Sequence, residues 1–178
     1  RSTPLGKDST AWKLETNLSY EYKAATFQPL NPYRSPDFLR DWNLVDIQGQ
    51  GVVERADEHL GLAGLALTKE GLGAIGYNLS TFLRDSLYRG LRQRTNLNLL
   101  AKGWQLDGLL DWVTTEESTK DTRLFRPQIG IRKTFEQWGG WSIGWQAERE
   151  KSERFATQSD TLQANSYFYD RQRIAFRS

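Results

Sequence analysis

Apolar and polar residues alternate with a period of two along the first strand of a recurring pattern. From Trp12 to Ala24 the even positions are Trp12, Leu14, Thr16, Leu18, Tyr20, Tyr22 and Ala24, and the odd ones are Lys13, Glu15, Asn17, Ser19, Glu21 and Lys23. Successive side chains of a strand point to opposite faces, so this segment is a strand with one apolar and one wet face. The rhythm returns to the end of the chain. It predicts an all-β fold, an antiparallel up-and-down meander of about 8–9 long strands in a single domain over 1–178.

Nine strands are expected: Trp12–Phe27, Trp42–Glu54, Glu58–Thr68, Leu72–Leu83, Tyr88–Ala101, Trp104–Thr115, Arg123–Phe135, Trp141–Glu153 and Tyr167–Arg177. Pro29, Pro32 and Pro36 break the chain after the first. Gly49 and Gly51 predict a bulge in the second. Lys102-Gly103 reads as a tight hairpin turn. Several expected strands are about twice the usual ~5–6 residues of globular sheets. Short turns at Lys69–Gly71, Lys102-Gly103 and Glu136–Gly140 alternate with Arg84–Ser86, Glu116–Thr122 and Arg154–Ala164, which lengthen along the chain. The long connection after the first strand falls on the short-turn side of this scheme and breaks it.

Composition removes several classes. Lys+Arg total 24 against 22 Asp+Glu, a net charge of +2 without a basic patch, so nucleic acid is not an expected partner. With no Cys there are no disulfides or thiolate metal sites. No run reaches the ~18 apolar residues of a membrane helix. The chain opens on Arg1 without a leader, which reads as a mature or excised segment. Its low mean hydropathy of −0.67 does not imply a soluble protein, because a barrel strand shows lipid only every second residue.

Trp104, Leu106, Gly108, Leu110 and Trp112 share one face, opposite Gln105, Asp107 and Asp111. Eight residues at ~3.4 Å separate Trp104 from Trp112 by ~27 Å, or ~20 Å in height at a ~40° tilt. That approaches the ~25 Å apolar band edged by aromatic girdles in outer-membrane barrels. On Trp104–Thr115, the Lys102-Gly103 hairpin and the Gly140–Glu153 strand, the chain resembles a piece of a large Gram-negative outer-membrane β-barrel. The resemblance implies a transmembrane β-barrel or part of one, located in the outer membrane. Its partners would be the lipid bilayer and further strands of the same chain or other envelope proteins.

That reading assigns Arg92, Arg94, Asn96, Asn98, Gln105, Asp107 and Asp111 to the lumen. It assigns Trp12, Tyr22, Trp104, Trp112, Trp141 and Trp145 to the membrane interface, where a ring with one apolar and one wet end is favoured. The function expected is a non-enzymatic pore, transporter or envelope-complex scaffold, with no cofactor and no metal. The alternative is a soluble secreted or periplasmic β domain binding carbohydrate or a protein through exposed aromatics.

Three features could carry other chemistry. Gly71-Leu72-Gly73-Ala74-Ile75-Gly76 matches G-x-G-x-x-G, but a dinucleotide site needs a helix next, and Glu70-Gly71 reads as a hairpin turn. His59 is the single histidine; beside Asp57 and Glu58 it reads as part of a solvated turn. Catalysis would require it to converge with Ser19, Ser80 or Ser86. Arg34, Arg40 and Asp41, in the motif-like segment Tyr33–Asn43, could form a charge-assisted cluster or a plug contact, against surface ion pairs of little worth as the bland reading.

Overall fold

A computed structural model describes residues 2–4, 12–27, 34–35, 38, 41–42, 44, 56–117, 120–135, 139–154 and 163–177. It forms one antiparallel sheet whose strands lie side by side in chain order. They are β1 (Ser2–Pro4), β2 (Lys13–Lys23), β3 (Glu58–Lys69), β4 (Gly73–Arg84), β5 (Tyr88–Ala101), β6 (Trp104–Glu117), β7 (Lys120–Phe135), β8 (Gly139–Arg154) and β9 (Gln163–Arg177). The order is linear and the sheet is not closed. β1 covers only Lys13 to Glu15 of β2.

Each ladder keeps one register from end to end, which the strict alternation demands: a one-residue slip would turn every side chain to the other face. The β7–β8 ladder skips Arg126 and Pro127 and then resumes in the same register. Proline has no N–H to donate, so the ladder lapses there without slipping. The hairpin between β5 and β6 has Lys102 at φ 46° and Gly103 at φ 77°. Both central residues are in the left-handed region, as a two-residue turn matched to the strand twist requires.

Eight of the nine expected strands are present, Tyr88–Ala101 with the expected ends and the others with shifted ones. The polar segment expected as a loop at Glu116–Thr122 instead continues both strands, pairing Glu116 with Asp121. Backbone pairing outweighs the polar composition there, and Thr115 and Thr122 are buried. β9 starts at Gln163, four residues before the expected Tyr167. The expected strand Trp42–Glu54 is corrected at its start: Trp42 lies in a turn and Leu44 in no strand, while 45–54, with the bulge at Gly49 and Gly51, lie outside the described residues.

That correction repairs the pattern of connections. With β2 paired directly to β3, the connection 24–57 joins the end shared by Asp85–Leu87, 118–119 and 155–162. The opposite end carries 70–72, 102–103 and 136–138.

Two faces and a strap

The register sorts side chains into an outer and an inner face. Leu18, Leu65, Ile75, Leu110, Trp112, Ile129, Ile143 and Ile174 stand on the outer face, and all are exposed, Leu18 at 86%. The six aromatic residues expected at a membrane interface are all on this face. Trp104 meets Trp141 edge to face at 5.6 Å, and Trp112 meets Phe125 at 6.0 Å. Lys133 Nζ sits 5.0 Å from the Trp104 ring and 5.6 Å from Phe135, and Lys69 Nζ 5.8 Å from Trp12. These cation–aromatic contacts gather at the short-turn end. Tyr22 stands near the other end, its ring 5.0 Å from His59. Trp145 lies further in, paired with Ile129.

All seven residues assigned to a lumen are on the inner face, in differing surroundings. Asn96 is exposed; Asn98 and Gln105 both donate to Asp107 Oδ1, Gln105 at 3.1 Å. Beside them Gly130, Gly140 and Gly144 leave the wall bare, and the hollow over them measures about 800 Å³. Arg92 and Asp111, by contrast, are buried, and Arg92 borders a smaller hollow of about 310 Å³ with Asn17, Asn78 and Arg94. Arg92 donates from Nε (2.8 Å) and Nη2 (2.6 Å) to the two oxygens of Asp111, the fork geometry a guanidinium offers a carboxylate. Arg94 adds a 3.2 Å contact to the same carboxylate.

What covers the inner face at the long-connection end includes residues of the connection 24–57. Ser35 Oγ accepts from Phe38 N at 3.1 Å, and Trp42 N donates to Phe38 O at 3.0 Å, closing one helical turn. Trp42 and Leu44 then pack with Phe82 and Tyr88 in a buried cluster, joined by Phe38 and Leu60. Phe38 meets Phe82 edge to face at 5.2 Å, and the Tyr88 hydroxyl donates to Trp42 O. Gly90 is required here: a Cβ on it would lie 2.7 Å from Trp42 Cε3 and 2.9 Å from Tyr88 Cε1.

Two ionic anchors flank the cluster. Asp41 Oδ2 accepts from Arg92 Nη1 at 2.7 Å. Arg34 reaches Glu58 Oε2 (3.2 Å) and Glu21 Oε1 (2.8 Å), and its guanidinium lies 4.5 Å from the Phe38 ring. Of the readings of this segment, the charge-assisted cluster is the one observed for Arg34 and Asp41. Arg40 lies outside the described residues.

The other features resolve by position. Gly71 (φ 74°) and Gly73 (φ 125°) flank the β3–β4 turn, and Gly76 lies within β4. Glu58 is buried rather than part of a solvated turn, because Lys23 Nζ lies 2.7 Å away with Arg34 and Arg84 beside it. Asp57 ties strand ends together, accepting from Ala25 N at 2.7 Å and donating its own N–H to Asp85. His59 Nδ1 lies 2.6 Å from the Tyr20 hydroxyl on the outer face. Ser19 and Ser80 pair with Leu62 on the inner face, so the sheet stands between them and His59.

Comparison with protein-family models, curated proteins and solved structures finds no match.

Proposed function

We propose that the chain forms wall of a non-enzymatic outer-membrane β-barrel, a pore, transporter or envelope scaffold in a Gram-negative bacterium. One observation carries this reading: the sheet exposes large apolar residues on its outer face across every strand from β2 to β9, while its inner face buries arginine–carboxylate pairs. A monomeric soluble protein rarely leaves an apolar patch of more than a few hundred Å² uncovered. In a bilayer the same face meets hydrocarbon, and the Lys–Trp contacts at the short-turn end suit the headgroup boundary.

The open edges at β2 and β9 then need partners, since unpaired backbone groups in hydrocarbon cost several kcal/mol each. Further strands of the same chain or of another envelope protein would supply them. The inner face also favours a wall wider than eight strands. An eight-stranded barrel has room for little more than its own side chains, and this face carries Phe38, Trp42 and Leu44 as well.

The test is electrophoresis of the native protein extracted in mild detergent, with and without boiling. A heat-dependent shift, at a boiled mass well above 20.5 kDa, supports a barrel to which these strands contribute. Monodisperse behaviour without detergent, and no shift, would refute it and favour the soluble domain binding carbohydrate or protein through its exposed aromatics.

A further inference from the structure

We propose that the outer face of β7 and β8, at their long-connection end, seats a zwitterionic lipid headgroup, its phosphate held by Arg123 and Arg149 and its ammonium, further out, by Asp121. The seat rests on the barrel reading above and names the lipid chemistry that this part of the wall fits.

The register sets the level. Lys133 lies beside the Trp104 and Phe135 rings at the short-turn end of β7, and Arg123 stands on the same face toward the other end. Ten residues at ~3.4 Å separate the two by ~34 Å, or ~26 Å in height at a ~40° tilt. The apolar band of an outer-membrane barrel is ~25 Å tall. Between the two cations this face of β7 carries Ile131, Ile129, Pro127 and Phe125 and no charge. Arg123 therefore stands where hydrocarbon gives way to headgroups.

The cations there are more than the wall itself neutralises. Lys151 is directly opposite Arg123, and Arg149 is opposite Phe125. Like charges placed opposite each other weaken a strand pair. Glu153 neutralises Lys151 at 2.7 Å. Arg123 and Arg149 are exposed and make no ion pair or hydrogen bond among the described residues. They flank Phe125, whose ring meets Trp112 at 6.0 Å. Two guanidiniums beside an aromatic pair offer a phosphate several N–H donors, while the rings take the first segment of its acyl chains. Arg149 starts one step inside the boundary, and its long stem carries the charge out to the phosphate level.

One step further out the sign reverses. Glu116, Asp121 and Glu153 stand side by side on β6, β7 and β8. Arg89 of β5 is opposite Glu116, and Glu153 is taken by Lys151. Asp121, between them, makes no ion pair or hydrogen bond among the described residues. From the band outward the free groups thus run aromatic, cation, anion. A phosphoethanolamine headgroup runs acyl chain, phosphate, ammonium, which is the complementary order. A phosphatidylglycerol headgroup offers the arginines the same phosphate but sets nothing positive against Asp121.

The test is native mass spectrometry of the whole protein released from mixed micelles containing phosphatidylethanolamine and phosphatidylglycerol of matched chains in equal amounts. Phosphatidylethanolamine should be retained about fivefold over phosphatidylglycerol, the scale of one exposed ion pair. Arg123→Gln with Arg149→Gln should abolish retention of both lipids at this site, and Lys133→Gln, at the opposite boundary, should leave it unchanged. Asp121→Asn should keep the lipid and erase the preference. Equal retention of the two lipids by the unaltered protein, or none, would overturn the seat, as would unchanged retention in the double arginine variant. A preference that survives Asp121→Asn would overturn the ammonium assignment. The heat-dependent electrophoretic shift is read on every variant. A protein without that shift, monodisperse without detergent, loses the barrel reading; one that keeps the shift but shows no lipid preference loses the seat alone.

Discussion

Arg92 touches two carboxylates, and the structure ranks them. Asp111 and Arg92 are buried at both side chains, 5% and 10% exposed, and share two hydrogen bonds of 2.6 and 2.8 Å. Asp111→Asn keeps the shape and removes the charge. Arg92 is then held by Asp41 alone, and Arg94 loses its own contact at 3.2 Å. Leaving a buried charge without its partner costs about 3–5 kcal/mol. Asp41→Asn removes the other carboxylate, but Arg92 keeps both bonds to Asp111, and Asp41 itself is partly solvated. A partly exposed pair of this kind costs about 1 kcal/mol or less. The expected gap is about 2–4 kcal/mol, or roughly 30- to 1,000-fold in the folded-to-unfolded ratio. It can be read from urea titration in detergent, scoring the folded fraction by tryptophan emission. The joint replacement Arg92→Met with Asp111→Leu should cost less than Asp111→Asn alone, because no charge is left buried. Equal losses for Asp41→Asn and Asp111→Asn would refute the reasoning, since the strap would then be as necessary to Arg92 as the wall.

Three further outcomes are expected. Gly90→Ala puts a methyl 2.7 Å from the Trp42 ring and should lower stability by about 1–3 kcal/mol, with Trp42→Leu recovering much of it; a neutral Gly90→Ala in the same titration would mean that Trp42 is not seated there. Leu106→Arg, on the outer face, should impair insertion into lipid vesicles by about 2–4 kcal/mol, while Leu109→Arg, on the inner face of the same strand, should insert normally; the reverse order would invert the faces. Gly103→Val should cost about 1–3 kcal/mol in thermal melting, because φ is 77° and a Cβ would lie 2.8 Å from Thr134 O; an unchanged melt would show that the hairpin can relax.

The strands and their faces were legible because alternation is a local property. Tyr88–Ala101 has the expected bounds, and every expected lumen residue falls on one face and every interface aromatic on the other. The strap was less visible, because it depends on contacts far apart in sequence, Trp42 with Tyr88 across 46 residues and Asp41 with Arg92 across 51. A signal for it was nonetheless present. Leu60, Phe82, Tyr88, Val113 and Leu124 are apolar residues in phase with Glu58, Ser80, Arg92, Asp111 and Arg126, so each breaks the alternation on the wet side. All five lie toward the long-connection end, and Leu60, Phe82 and Tyr88 form the seat of Trp42. An apolar residue on a wet face is read correctly as a contact, and several at one level of a sheet as the footprint of one segment. Reading Trp42–Glu54 as a strand hid this, because it sent the ligands of that seat into the sheet.

Removing that strand also gives the sheet its direction. With β2 paired to β3, the connections from β2 to β9 sort by length: one end carries the short ones 70–72, 102–103 and 136–138, while both long ones, 24–57 and 155–162, fall at the end that also holds 85–87 and 118–119. The strap arises from that second end. In outer-membrane barrels the short turns face the periplasm and the longer loops face outward. On the proposed reading, the Lys–Trp contacts of Lys133 and Lys69 then mark the periplasmic boundary, and the strap descends into the wall from the outside. On the same reading, the ion pairs of Arg34 and Asp41 sit at the end that would face the external medium. The Asp41 side chain, 30% exposed in its pair with Arg92, is the contact there that salt would screen, whereas the buried seat of Trp42 is out of its reach.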